Sequence, residues 1–139
     1  MGVRYPAGGH DQALAGARIL VVDDEPDIAA LVAYHLARAS YRVRTAGDGP
    51  EAFRAVEVER PDLIVLDVLL PGISGLEVLK ALHARPEFRD IPVVLLTARG
   101  GEAERIEGLR LGADDYIPKP FSPPEVVLRV EAVLRRTRQ

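Results

Sequence analysis

Hydrophobic residues along this chain gather into short unbroken runs separated by longer stretches with helical spacing. ILVV (19–22), LIVL (63–66) and VVLL (93–96) are continuously apolar, the pattern of strands covered on both faces. Tyr41 to Thr45 reads as a short second strand and 114–117 as a fifth. Between the strands the period changes. Pro26 suits the first turn of a helix, and Ile28, Leu31, Val32 and Leu36 then recur on one face. A second helix starts near Asp48, buries Ala52, Phe53 and Val56, and stops before Pro61. The Pro71-Gly72 turn leads into a third through Leu76, Leu79 and Leu82. Residues 102–111 predict a weaker fourth, with Ile106 and Leu109 inward and Gly112 placed to close it. Pro123 and Pro124 open the last, which carries Val127, Val130 and Leu134.

Five βα units of this size predict an α/β fold: a flavodoxin-like, doubly wound, five-stranded parallel sheet of order 2-1-3-4-5. Its five helices divide two and three between the faces. A chain of 139 residues holds one such domain, expected over 17–137, with 1–16 a flexible N-terminal arm and 138–139 an end or the start of a linker. The absence of cysteine excludes disulfides, thiolate metal sites and thiol nucleophiles. A formal charge of −3 argues against the chain gripping nucleic acid by itself, and Arg135, Arg136 and Arg138 read as a solvated helix end. No apolar run has the length of a membrane span, and 1–16 lacks the apolar stretch of a signal peptide, so a cytoplasmic location is expected.

The strands end on polar residues, which changes the picture from architecture to chemistry. Asp23, Asp24, Asp67, Thr97 and Lys119 all fall at the carboxyl edge of the sheet, where open α/β folds place their ligands. In the 2-1-3-4-5 order, strands 1 and 3 are neighbours at the reversal of winding, so the three aspartates converge. Clustered carboxylates repel unless a cation neutralises them. Magnesium suits such a cleft, with Asp24 and Asp67 as direct ligands and Asp23 acting through water. Asp67 is the candidate nucleophile, since a carboxylate can take a phosphoryl group as an acyl phosphate. Thr97 and Lys119 would contact that group from the opposite side. Of 18 basic residues only Lys80 and Lys119 are lysine. An ammonium approaches a phosphoryl oxygen as a point charge where a guanidinium fork would not fit, whereas Lys80 reads as solvated surface.

The segments VDDEP (22–26), LDVLLPGISGLEVL (66–79), LLTA (95–98) and GADDYIPKPF (112–121) occur in this order. Through them the chain resembles the receiver domain of a two-component response regulator from about Arg18 to Arg136. The resemblance implies that Asp67 accepts phosphate from a sensor histidine kinase, and that Asp24, Asp67 and the backbone carbonyl of Leu69 bind Mg²⁺. It further implies that Thr97 and Lys119 bind the phosphoryl oxygens, that Thr97 and Tyr116 form the switch, and that Lys119–Pro120 is a cis peptide. The side chain at 69 tunes phosphate lifetime in that family, and leucine there leaves the lifetime open. Residues 99–130 look most like the winged-helix DNA-binding class. In that class helix 4, strand 5 and helix 5 pair into a homodimer, and Glu102, Arg105, Asp114, Asp115, Glu125 and Arg129 stand at matching positions. Ala103 departs from a position that is often acidic. The implied role is transcription regulation through a DNA-binding domain absent from this chain, with no membrane partner and no enzymatic activity beyond the domain's own phosphorylation and dephosphorylation. The arginine-rich last turn favours a piece of a longer regulator over a stand-alone receiver.

Three rival readings fit less well. A phosphatase of the haloacid dehalogenase type wants a second acid two residues after its nucleophile, where this chain has Leu69. A flavodoxin-type cofactor module wants a Ser/Thr/Gly-rich loop after strand 1, where DDEP presents negative charge. A phosphate-independent docking module would not need the complete pocket. His10, His35 and His83 are placed away from the pocket, in surface or helix-face roles.

Overall fold

The computed structural model describes residues 12–138. In chain order the elements are β1 (Arg18–Val22), α1 (Pro26–Arg38), β2 (Arg42–Ala46), α2 (Gly49–Val58) and β3 (Leu63–Asp67). They continue with α3 (Gly75–His83), β4 (Val93–Thr97), α4 (Glu102–Arg110), β5 (Asp115–Pro118) and α5 (Pro123–Thr137). Short 3₁₀ turns at Gln12–Leu14 and Pro86–Phe88 precede β1 and β4. The strands pair in parallel in the order β2-β1-β3-β4-β5, as the βα periodicity predicts.

Successive strand residues point to opposite faces, and each face builds its own core. Ile19, Val21, Leu63, Val65, Val94 and Leu96 pack against α1 and α5, which contribute Val32, Leu36, Val126, Val130 and Leu134. Leu20, Val22, Ile64, Leu66, Val93 and Leu95 form the opposite core with Ala52, Val56, Val78, Leu79 and Leu82 of α2 and α3. Register across the centre pairs Val22 with Leu66 and Asp67 with Leu96, so the ends of β1, β3 and β4 lie level at one edge.

Helix α4 departs from expectation. Ile106 and Leu109 face outward at 47% and 46% exposure, and Gly108 is its buried residue. Space is the reason: a Cβ at 108 would run into Leu95 Cδ1, so glycine lets α4 settle on the sheet at that point while Ile106 and Leu109 turn to solvent. Gly112 closes the helix as expected, at φ +101°, where L side chains are strained. On α1, Leu31 is likewise exposed, and Ala29 joins Val32 and Leu36 in the core instead. Phe53 and Leu76 pack only partly buried.

Within residues 12–16 of the expected arm, two contacts reach the domain. Leu14 is buried in the α1–α5 core, and Gly16 donates a 2.7 Å hydrogen bond to the Ser40 carbonyl. Residues 1–11, with His10, lie outside the described residues. His83 is part of the fold's interior wiring: Nε2 lies 3.1 Å from the Ile91 carbonyl and Nδ1 3.4 Å from that of Leu111. His35 sits edge-on to the Tyr34 ring on α1. Lys80 is exposed as predicted. Among the described residues no helix is long and apolar enough to cross a membrane.

Candidate functional site

The site is assembled by backbone ladders running past the ends of the strands. Asp23 extends β1 by one residue through a 3.0 Å hydrogen bond from its amide to the Ala46 carbonyl. Asp67 is the last residue of β3, and Val68 beyond it donates to Leu96 at 2.9 Å. One carboxylate oxygen from each of Asp23, Asp24 and Asp67 lies within 4.8 Å of the others. Asp23 and Asp67 are buried, at 2% and 1% exposure, while Asp24 faces solvent.

Both oxygens of Asp67 are engaged. Oδ1 accepts the amide N–H of Leu69 at 3.0 Å and Oδ2 accepts from Lys119 Nζ at 2.9 Å. Lys119 reaches inward because its own amide donates to the Thr97 carbonyl at 2.8 Å, which ties the end of β5 to the end of β4. Thr97 is itself buried, and the Lys119–Pro120 peptide is cis, as the resemblance implies. Helix α3 braces Asp67 from behind. Gly75 donates to the Val68 carbonyl at 2.8 Å and lies so close to the Asp67 carbonyl that no side chain fits there. A capping box between Ser74 and Glu77 fixes that helix end by bonds of 3.2 and 3.0 Å.

The electrostatics are unbalanced toward negative charge. Burial, with the nearby charge of Asp67, pushes the Asp23 carboxyl up to about 6 against the amide hydrogen bond of Glu25, which favours ionisation. Asp23 Oδ2 is buried and has no hydrogen-bond partner among the described residues. Partial burial works to lower the pKa of Lys119. The hydrogen bond and charge of Asp67, together with Asp23 and Glu25, outweigh it, and the net direction is upward. A buried carboxylate oxygen without a donor, beside two further hard oxygen donors, fits a small divalent cation such as Mg²⁺.

The residues expected on the α4–β5–α5 face are brought together in part. Arg129 pairs with Asp115 at 3.2 Å and with Glu125 at 3.6 Å. Arg105 lies 3.9 Å from Glu102 and donates a 3.0 Å hydrogen bond to Tyr116 Oη. Asp114 is occupied elsewhere, since its Oδ1 accepts the Val93 amide at 2.9 Å and so helps to begin β4. Leu69 stands at the pocket with its side chain 55% exposed. Sequence reasoning missed Glu25, 4.0 Å from Lys119, although its place in VDDEP was a usable signal. It also missed the Arg105–Tyr116 contact, which joins two elements and has no local signature.

Comparison with known proteins agrees with this geometry. The model of the response regulator receiver domain matches residues 19–131. The alkaline phosphatase synthesis transcriptional regulatory protein PhoP of Bacillus subtilis is 53% identical over 120 residues, covering 86% of this chain and 49% of its own length. The phosphate regulon transcriptional regulatory protein PhoB of Escherichia coli is 50% identical over 119 residues, covering 86% of this chain and 52% of its own. The chain thus spans about half the length of these curated relatives. Among solved structures, a putative response regulator from Chloroflexus aurantiacus superposes with a TM-score of 0.82 at 39% identity, covering 87% of this chain and 99% of that one. The receiver domain of NtrX from Brucella abortus does so with a TM-score of 0.79 at 36% identity, covering 84% and 98%. With the sheet order, the acid cluster and the family match in agreement, the chain belongs to the response regulator receiver domain family.

Proposed function

We propose that Asp67 is the phosphoacceptor of a two-component regulator and that its phosphorylation switches a dimerisation face. The observation that carries this reading is the pairing of a buried Asp67 with Lys119 at 2.9 Å beside two further carboxylates. An Asp67 oxygen attacks the phosphorus of a phosphohistidine on a sensor kinase. The P–N bond breaks, its electron pair stays on the imidazole, and an acyl phosphate forms on Asp67. Asp24, Asp67 and the backbone carbonyl of Leu69 would hold Mg²⁺, with Asp23 acting through water. The ion, when bound, offsets charge on the phosphoryl oxygens. Lys119 is already at hydrogen-bond distance, and Thr97 stands at the adjacent strand end. No separate substrate is turned over: the domain promotes only its own phosphorylation and dephosphorylation.

Drawing Thr97 and Lys119 toward the phosphoryl group lets Tyr116 turn toward the hollow beside Thr97. Moving a two-state equilibrium from 1:99 to 99:1 takes about 5.5 kcal/mol, within reach of charge-assisted contacts to a phosphoryl group. The face that responds carries Glu102, Arg105, Asp115, Glu125 and Arg129 around the exposed Ile106 and Leu109, with Asp114 committed at one oxygen to Val93. Exposed apolar side chains ringed by both signs of charge suit a self-complementary pair of copies. The similarity to PhoP and PhoB, transcriptional regulatory proteins about half of whose length this chain spans, supports a role in transcription regulation exerted through a DNA-binding domain outside this chain. The test is size and label together. Wild type takes phosphate from acetyl phosphate with Mg²⁺ and becomes a dimer with beryllofluoride. Asp67→Asn does neither, and an Asp67→Asn variant labelled at the wild-type rate overturns the reading.

A further inference from the structure

We infer that Arg105 is a latch on the switch tyrosine. Its guanidinium holds Tyr116 at the rim of α4 and must release that ring before Tyr116 can move toward Thr97. The inference rests on the phosphorylation reading above and adds to it a residue that sets the threshold of the switch. Two contacts made by one side chain carry it. Arg105 Nη1 donates to Tyr116 Oη at 3.0 Å, and the guanidinium carbon stands 5.1 Å from the centre of the same ring. The hydroxyl and the ring face are thus held together, which fixes the ring's direction more tightly than either contact alone.

The surroundings give the latch something to restrain. Beside the ring lies a cavity of about 430 Å³, with Thr97, Ala98, Gly101, Arg105, Tyr116 and Pro118 in its lining. Tyr116 therefore sits beside open space that leads to Thr97, and packing alone does not hold it out. Arg105 belongs to α4, whose buried residue is Gly108, so its position is set mainly by polar contacts. Glu102, 3.9 Å away, is a weak exposed partner and orients the guanidinium without trapping it. Such a hold is reversible. Contacts to a phosphoryl group exceed it, so the latch suppresses switching in the unphosphorylated domain without preventing it after phosphorylation.

The test is a double-mutant cycle of Tyr116→Phe and Arg105→Met, read as the half-saturating beryllofluoride concentration at saturating Mg²⁺. Titrations are run at protein concentrations where sedimentation shows only monomer, so that pairing between copies does not contribute. Each single substitution removes the hydrogen bond, and each lowers the half-saturation about fivefold, the equilibrium worth of one net hydrogen bond. Because both remove the same bond, the double variant stays near fivefold and does not reach the roughly 25-fold of independent effects. NMR of ¹³C-labelled tyrosine gives a second readout: in Arg105→Met without phosphate, the Tyr116 ring signal moves toward its position in the beryllofluoride-bound wild type. Full additivity, or an Arg105→Met half-saturation equal to that of a responsive wild type, overturns the latch alone. A wild type that does not bind beryllofluoride overturns the phosphorylation reading and the latch with it.

Discussion

Helices α3 and α4 have the same length, nine residues, lie side by side on one face of the sheet, and are held in opposite ways. Helix α3 buries Val78, Leu79 and Leu82 and starts in a capping box. Helix α4 buries Gly108 and has no side-chain cap on its first turn. The first is fixed by dispersion and burial, which are insensitive to small charge changes. The second is held through Arg105, Tyr116 and Glu102, contacts that a nearby charge can rearrange. The difference follows position. Helix α3 begins against Asp67, where the proposed nucleophile would need a rigid mount, and α4 follows Thr97, where the proposed switch would need a movable part.

The sharpest way to break this contrast is to truncate both helices. Leu79→Ala removes a fully buried side chain and is expected to lower unfolding free energy by about 3 kcal/mol, whereas Ile106→Ala stays within about 0.5. Urea unfolding without phosphate measures both. Equal losses would mean that α4 is anchored as firmly as α3. The contrast should reverse in the dimer assay, where Ile106→Ala weakens pairing and a folded Leu79 variant does not.

Charge sharpens the comparison further, because the fixed side of the site also holds its electrostatic conflict. Asp23 goes from 3.8 unfolded to about 6 folded, so its ionisation costs nothing below 3.8, grows more costly as pH rises to about 6, and costs a constant amount above. Asp23→Asn should therefore unfold like wild type in acid and, in EDTA, exceed it by about 2 kcal/mol at pH 7. A gap that instead closes with rising pH contradicts the burial of that carboxylate. Mg²⁺ should narrow the gap, since it stabilises the wild type by binding the folded state.

The smallest expected effect lies at the cap. Ser74→Ala removes one half of the box on α3 and should cost about 1 kcal/mol, seen as a lower thermal midpoint and faster hydrogen exchange at the Glu77 amide. The exchange of α4 amides should not change. If it does, the two helices are coupled through more than the sheet between them.

How far each of these features could be read in advance depends on how local it is. The strands were legible because every residue of β3 and β4 is buried, so the apolar run and the element coincide. The pocket was legible because its members end strands, and strand order alone then brings Asp23, Asp24 and Asp67 together. The face of α4 was misread, since Ile106 and Leu109 obey helical spacing equally well in either orientation. Asp114 is expected on the pairing face, and its bond to the Val93 amide is not legible because nothing in its neighbourhood along the chain marks Val93 as its partner.

The amino-acid order by itself therefore determined the five βα units, the level at which the polar strand ends meet, and the chemistry of the donor set. These follow from periodicity and residue type, which act within a few positions of the chain. Only the tertiary structure decided which side of α4 meets the sheet, that one Asp23 oxygen is left without a donor, and that Arg105 closes on Tyr116. Each of those depends on how much room or charge a distant segment leaves, as Leu95 does under α4, where its Cδ1 occupies the place a Cβ at 108 would take.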